Sequence, residues 1–162
     1  MQQQYLNRGY SMAMVDSKKT KIPVNEIVTT AAKETKSPYD PDVALAVFVR
    51  EIKAPNVQLL RYGNTIFVIH AGKTIKNFGT FRALNADTAA NYLESSFQFV
   101  TDAYNAGYDG LITDFYDQSI LNIFRAISKK PPNPDMGYSA AKLSDGGFRV
   151  TLQLGPLRKA GT

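Results

Sequence analysis

The stretch Gly79–Val100, GTFRALNADTAANYLESSFQFV, decides how the chain is read. Its first part has the look of a strand. Asn85-Ala86-Asp87 then forms a turn, and apolar residues recur at steps of three and four. The spacing predicts a helix over about 88–105, opened by Asp87 as N-cap and stopped near Gly107. Ala89, Leu93, Phe97, Val100 and Tyr104 mark its apolar side, and Glu94 and Asp102 fall on the solvent side. A strand-to-helix junction of this kind offers backbone amides and the positive end of a helix dipole, which suit an anion. Loops that use this device carry glycines, yet none lies between Arg82 and Tyr92. The junction is therefore a working anion site, a damaged one, or only a helix start.

Working outward, NVQLLRY (56–62), TIFVIH (65–70) and TIKNFGTFRAL (74–84) read as three strands of a meander. They turn at Gly63-Asn64 and at Ala71-Gly72-Lys73. YSMAMV (10–15) reads as a first strand. Residues 23–34 have helical spacing at 24, 27, 28, 31 and 32. A second helix over 40–52 has Asp40 as N-cap, Pro41 at the first position, and Val43, Ala46, Val47 and Val49 on its apolar side. Downstream, GLITDFY (110–116) is a strand and SILNIFRAIS (119–128) a short helix with Ile120, Ile123, Phe124 and Ile127 on one side. The prolines of KKPPNP end it. MGYSAAKL (136–143) and GFRVTLQL (147–154) flank the turn SDGG. The order β-α-α-β-β-β-α-β-α-β-β predicts one α+β domain over 1–162, with its core over about 8–155. Its sheet should be mixed and mainly antiparallel, with helices on its faces.

The length of 162 residues suits one domain, and 44% apolar with 20% charged residues is an ordinary globular balance. With no cysteine, disulfides, thiolate nucleophiles and cysteine-based metal sites are excluded. His70 is the only histidine, a strand-end residue on this reading, and no metal site is expected. MQQQYLNRGY shows no secretory signal and no apolar run approaches ~18 residues, so the expected location is the cytoplasm or an assembly built there. The net charge of +5 and a pI near 9.4 favour acidic partners, nucleic acid among them. The charge is scattered, however, over SKKTK (17–21), Lys129-Lys130 and Arg158-Lys159, with no nucleic-acid motif beside it. Nine Phe and nine Tyr with no Trp suit core packing and protein contacts better than base stacking.

The order and lengths of these elements resemble the GNAT fold of N-acetyltransferases over about residues 8–155. The resemblance implies that the fourth strand and third helix flank a loop holding the pyrophosphate of acyl-CoA. That loop has the pattern Gln/Arg-x-x-Gly-x-Gly/Ala, with a leucine soon after. Aligned on Leu93, the candidate cofactor positions are Asn85, Thr88 and Ala90. Thr88 stands where the family has glycine, and its branched Cβ obstructs close approach of a phosphate. Asp87 adds negative charge there. The family also places a polar residue after the fifth strand and a proton-donating Tyr seven residues later. Here those positions are Asp117 and Phe124, and phenylalanine has no proton to give. Asp114 and Tyr116 are left as candidate catalytic groups. Asp114 shares a strand face with Ile112 and Tyr116, opposite Leu111, Thr113 and Phe115.

The expected function is thus a GNAT-like domain with weakened or lost acyl transfer, needing no cofactor. It would act as a binding or structural component whose partners are other proteins, in a virion assembly of the bacteriophage kind. The first alternative is an active acyltransferase that holds acetyl-CoA on the backbone of 85–90, with a V-shaped gap between the fourth and fifth strands. Asp114, Tyr116 or a water would then handle the proton. The second alternative is a basic nucleic-acid-binding module.

Overall fold

A computed structural model describes residues 21–34, 40–71 and 77–156. The strand expected at 10–15 lies outside them. Helices α1 (Val24–Glu34) and α2 (Pro41–Glu51) come first, then the meander β1 (Val57–Tyr62), β2 (Thr65–Ala71) and β3 (Phe78–Asn85). Helix α3 (Ala89–Asn105) leads to β4 (Gly110–Phe115), and α4 (Gln118–Lys129) leads to the hairpin β5 (Gly137–Lys142) and β6 (Phe148–Gln153). The strands form one sheet in the order β1-β2-β3-β4-β6-β5. Every pairing is antiparallel except β3 with β4. The fold is α+β with a mixed, mainly antiparallel sheet flanked by helices, and the predicted fourth and fifth strands are β3 and β4.

Strand alternation divides the sheet into two faces. Phe67 and Phe81 point to α3, where Phe67 stacks on Phe99 at 4.0 Å between ring centroids and Phe81 meets Phe99 edge-on at 4.9 Å. Val68, His70 and Arg82 have the opposite parity and point toward α1 and α2. Helix α1 buries Ile27, Val28, Ala31 and Ala32 there, as its spacing predicts. Helix α2 is capped by Asp40, whose Oδ1 accepts from the amide of Val43 at 2.9 Å. Its inward face differs from the expected one. Phe48 is buried, with Ala44, Leu45 and Ile52 packed beside it, while Val43 and Val49 are 43% and 39% exposed. The single aromatic of the helix sets its rotation, because it has the most apolar area to bury.

Helix α3 is also rotated from its expected phase. It buries Tyr92, Ser95, Ser96, Phe99, Val100, Asp102 and Ala103, while Phe97 is 39% exposed. Asp102 is not on the solvent side. Its carboxylate accepts from the Tyr62 hydroxyl at 2.8 Å and from Gln98 Nε2 at 3.1 Å. Burial raises the pKa of Asp102, and these two bonds oppose the rise. A buried carboxylate with two donors is tolerable where a bare one is not.

Across the other face, Glu51 at the end of α2 ties that helix to the sheet. Its carboxylate accepts from His70 Nε2 at 2.7 Å and from Arg82 Nε at 3.2 Å, and Arg82 Nη2 also bonds it. Burial acts to raise the pKa of Glu51, but the bonds and charges of Arg82 and His70 outweigh it and hold the carboxyl below its usual value of 4.5.

The β3–β4 join positions the site. It has three residue pairs only: Phe78 with Gly110, Gly79 with Leu111 and Thr80 with Ile112. Glycine is needed on both sides. A Cβ on Gly110 would lie 2.1 Å from the Phe78 ring, and one on Gly79 would lie 2.9 Å from Ile69 and Tyr108. Beyond Thr80 the strands part. Phe124, from α4 and 1% exposed, sits between Phe81 of β3 and Phe115 of β4 at 6.0 Å from each ring.

Two outcomes follow from this packing. Phe124→Ala leaves a cavity at the fork and should lower the unfolding free energy in urea by about 3–5 kcal/mol. Glu51→Gln should destabilise by no more than ~1 kcal/mol at neutral pH. Because the folded carboxyl titrates below its unfolded value, the wild-type contribution is fully present above pH 4.5 and is lost as the pH falls through the folded value. The stability gap between wild type and Glu51→Gln should therefore close in acid.

Candidate functional site

Where β3 and β4 part, the N-termini of α3 and α4 converge on a cavity of about 240 Å³. Asn85, Asp87, Ala89 and Tyr92 line it from the β3–α3 side, and Asp117, Ser119, Ile120 and Ile123 from the α4 side. The loop at 85–91 is folded on itself. Asn85 Oδ1 accepts from Thr65 Oγ1 at 2.6 Å and from the amide of Asp87 at 3.2 Å, while Asn85 Nδ2 donates to the carbonyl of Asp87 at 3.1 Å. Asp87 Oδ1 accepts from the amide of Thr88 at 2.9 Å and from Asn91 Nδ2 at 2.8 Å.

The N-cap of α3 is Thr88 and not Asp87. The Thr88 backbone is extended and its Oγ1 accepts from the amide of Asn91 at 3.2 Å. Asp87, one residue earlier, closes the loop instead. Its second oxygen, Oδ2, is buried with no hydrogen-bond partner among the described residues. On the other wall Asp117 caps α4, its Oδ1 accepting from the amide of Ser119 at 2.9 Å. The amides of Ala89 and Ala90 keep no acceptor among the described residues.

Tyr92 went unnoticed in the sequence. It is 7% exposed and lines the cleft. Burial, then the charge of Asp117, raise its pKa, so the phenol stays protonated. The signal that could have found it is its place four residues after the cap Thr88, one turn into the helix on the side facing the strand just left.

The residues singled out from the sequence divide between this cleft and other places. Asn85 lines the cleft, but both ends of its amide are used within the loop. Thr88 and Ala90 are exposed on the first turn of α3. Asp114 lies outside the cleft on β4, in a two-pronged ion pair with Arg149 of β6 at 2.8 and 2.9 Å. Tyr116 is 63% exposed and donates to Asp145 at 2.7 Å. That hydrogen bond raises the pKa of Tyr116 and lowers that of Asp145. Phe124, at the position where the resemblance implied a proton donor, is a buried core ring between Phe81 and Phe115.

The cleft does not fit the pyrophosphate of acyl-CoA. No lysine or arginine lines it, and two carboxylates do. One like-charge contact at 4 Å costs about 4 kcal/mol at an effective dielectric near 20. A hydrogen bond from a free amide to a charged oxygen returns about 1.5–3 kcal/mol. The two unused amides of the first turn are therefore largely offset by the carboxylates beside them.

No family model matches the sequence, and no curated protein matches it. Among solved structures, one described as "Crystal structure of Probable acetyltransferase" aligns at a TM-score of 0.48 and 10% identity, covering 80% of this chain and 83% of that one. Another, "Crystal structure of a putative phosphinothricin N-acetyltransferase", aligns at 0.47 and 12% identity, covering 80% and 88%.

Thr88→Ala removes the cap and should cost about 1 kcal/mol in thermal or urea unfolding, whereas Thr88→Gly should cost only a few tenths. Equal losses in the two variants would show that Thr88 does not cap α3.

Proposed function

We propose that the chain is a binding domain on a GNAT-like scaffold in which acyl-CoA-dependent transfer is weakened or lost. The observation that carries this reading is Asp87. Its buried, unpartnered Oδ2 occupies the junction where the resemblance places a phosphate, and Asp117 faces the same cleft. The lack of a proton donor at Phe124 supports it further. So does the engagement of Asp114 with Arg149 and of Tyr116 with Asp145, both away from the cleft.

A second reading, active acyl transfer, is favoured by one feature. The β3–β4 pairing stops after three residue pairs, as a gap between these strands would require, and the amides of Ala89 and Ala90 have no acceptor among the described residues. In that reading the protonated Tyr92 hydroxyl is the group placed to give up a proton.

Calorimetric titration of the full chain with acetyl-CoA separates the two. The binding-domain reading expects no saturable heat even at millimolar ligand. A micromolar Kd would overturn it in favour of the enzyme.

A further inference from the structure

We propose that the outer edge of β5 is a docking surface for the same edge of a second copy of this chain, paired antiparallel about a two-fold axis at Ala140. The inference goes beyond the binding-domain reading and does not depend on whether the cleft takes acyl-CoA.

Among the described residues, the sheet ends at β1 on one side and at β5 on the other. The two edges differ. Every residue of β1 except Gln58 is buried, whereas Ser139, Ala140, Ala141 and Lys142 of β5 are all exposed. The direction of the β5 backbone follows from its ladder. The amide of Leu143 donates to the carbonyl of Gly147 at 2.7 Å, and bonded pairs alternate along antiparallel strands. The pairs Ser139 with Thr151 and Ala141 with Arg149 are therefore the bonded ones. The other side of β6 agrees. There the amide of Leu154 donates to the carbonyl of Asp109 at 2.9 Å, so even-numbered residues of β6 serve β4 and odd-numbered ones serve β5. Tyr138, Ala140 and Lys142 thus turn their N–H and C=O groups outward, where they have no backbone partner among the described residues.

Such an edge accepts another strand unless proline, a bulge or charge blocks it. Gly137–Lys142 contains no proline, carries charge only at Lys142, and pairs with β6 residue for residue without a bulge. Symmetry selects a second copy as the occupant. The outward groups at 138, 140 and 142 are evenly spaced about Ala140. A two-fold axis there sets Ala140 against the second copy's Ala140 and Tyr138 against its Lys142, so every outward group is matched. Moving the axis by one residue either way sets one outward residue of each copy against a residue outside the strand. Ser139, Ala140 and Ala141 are small and admit a close backbone. Charge is complementary too. Exposed Asp135 precedes the strand and exposed Lys142 ends it, and antiparallel pairing brings the Asp135 end of each copy to the Lys142 end of the other. Asp145, in the turn beyond Lys142, is directed back to the Tyr116 hydroxyl and the Gly147 amide.

The test is sedimentation of the full chain over a concentration series, with amide exchange read along β5. The expected result is a concentration-dependent dimer, with the amides of Tyr138, Ala140 and Lys142 becoming protected as it forms. Ala140→Pro removes one outward donor from each copy, keeps the bonds to β6, and should weaken the dimer about tenfold or more. Ala140→Lys places like charges opposite each other at the axis and should weaken it about fivefold. Unfolding of the dilute protein checks that each variant is folded, and where Ala140→Pro is not, Ala140→Lys decides. Lys142→Glu should weaken the dimer, and adding Asp135→Lys should restore it. The chain has no cysteine, so a single introduced thiol reports the register. Under mild oxidation Ala140→Cys should link two copies and Ala141→Cys, opposite Ser139, should not. A chain that stays monomeric at millimolar concentration overturns the proposal. A dimer left unchanged by folded Ala140→Lys overturns it equally.

Discussion

The rest of the structure depends on the short parallel join between β3 and β4. Three residue pairs hold together two antiparallel units, the β1-β2-β3 meander and the β4-β6-β5 group. The join is tight where Gly79 and Gly110 admit the neighbouring rings, and it ends where Phe124 enters between Phe81 and Phe115. One aromatic side chain thus serves as core and as wedge. It packs against Phe81 and Phe115 where the β3–β4 pairing has ended, and the N-termini of α3 and α4 meet nearby. Aromatic burial carries the energetics here, since Phe67, Phe81, Phe99, Phe115, Phe124 and Phe148 form a continuous series of ring contacts.

A cleft made by two helix starts is expected to attract anions, because both dipoles and several amides point into it. This chain answers that tendency from within. Thr88 and Asp117 cap the helices, and Asn85 and Asp87 bind the loop to itself. The same residues that stabilise the helix starts reverse the sign of the site. The stability of both helix starts and the charge of the cleft therefore come from one set of side chains.

Much of the fold was legible in the sequence, because its evidence is local. Gly63-Asn64 marks the first hairpin, Asp40-Pro41 marks the start of α2, and the prolines after Lys130 end α4. The spacing of Ile27, Val28, Ala31 and Ala32 also located the buried side of α1. Helix phase was less legible where polar residues go inward. Asp102 is buried because Tyr62, forty residues away, donates to it, and no pattern within α3 records that partner. The site was legible as a position and not as a chemistry. Asp87 and Thr88 drew attention to the junction, but the division of labour between them depends on the extended backbone at Thr88. Tyr92 escaped notice because its burial follows from the corrected phase of α3. Phe124 read as a missing acid, whereas its role as a wedge needs the two strands on either side of it.

The central claim is that the first turn of α3 does not receive a phosphate. The most direct measurement is the amide spectrum of the full chain with inorganic pyrophosphate added, read at Ala89 and Ala90. The account predicts that neither amide shifts. Saturable downfield shifts at both, with the rest of the spectrum unmoved, would contradict it.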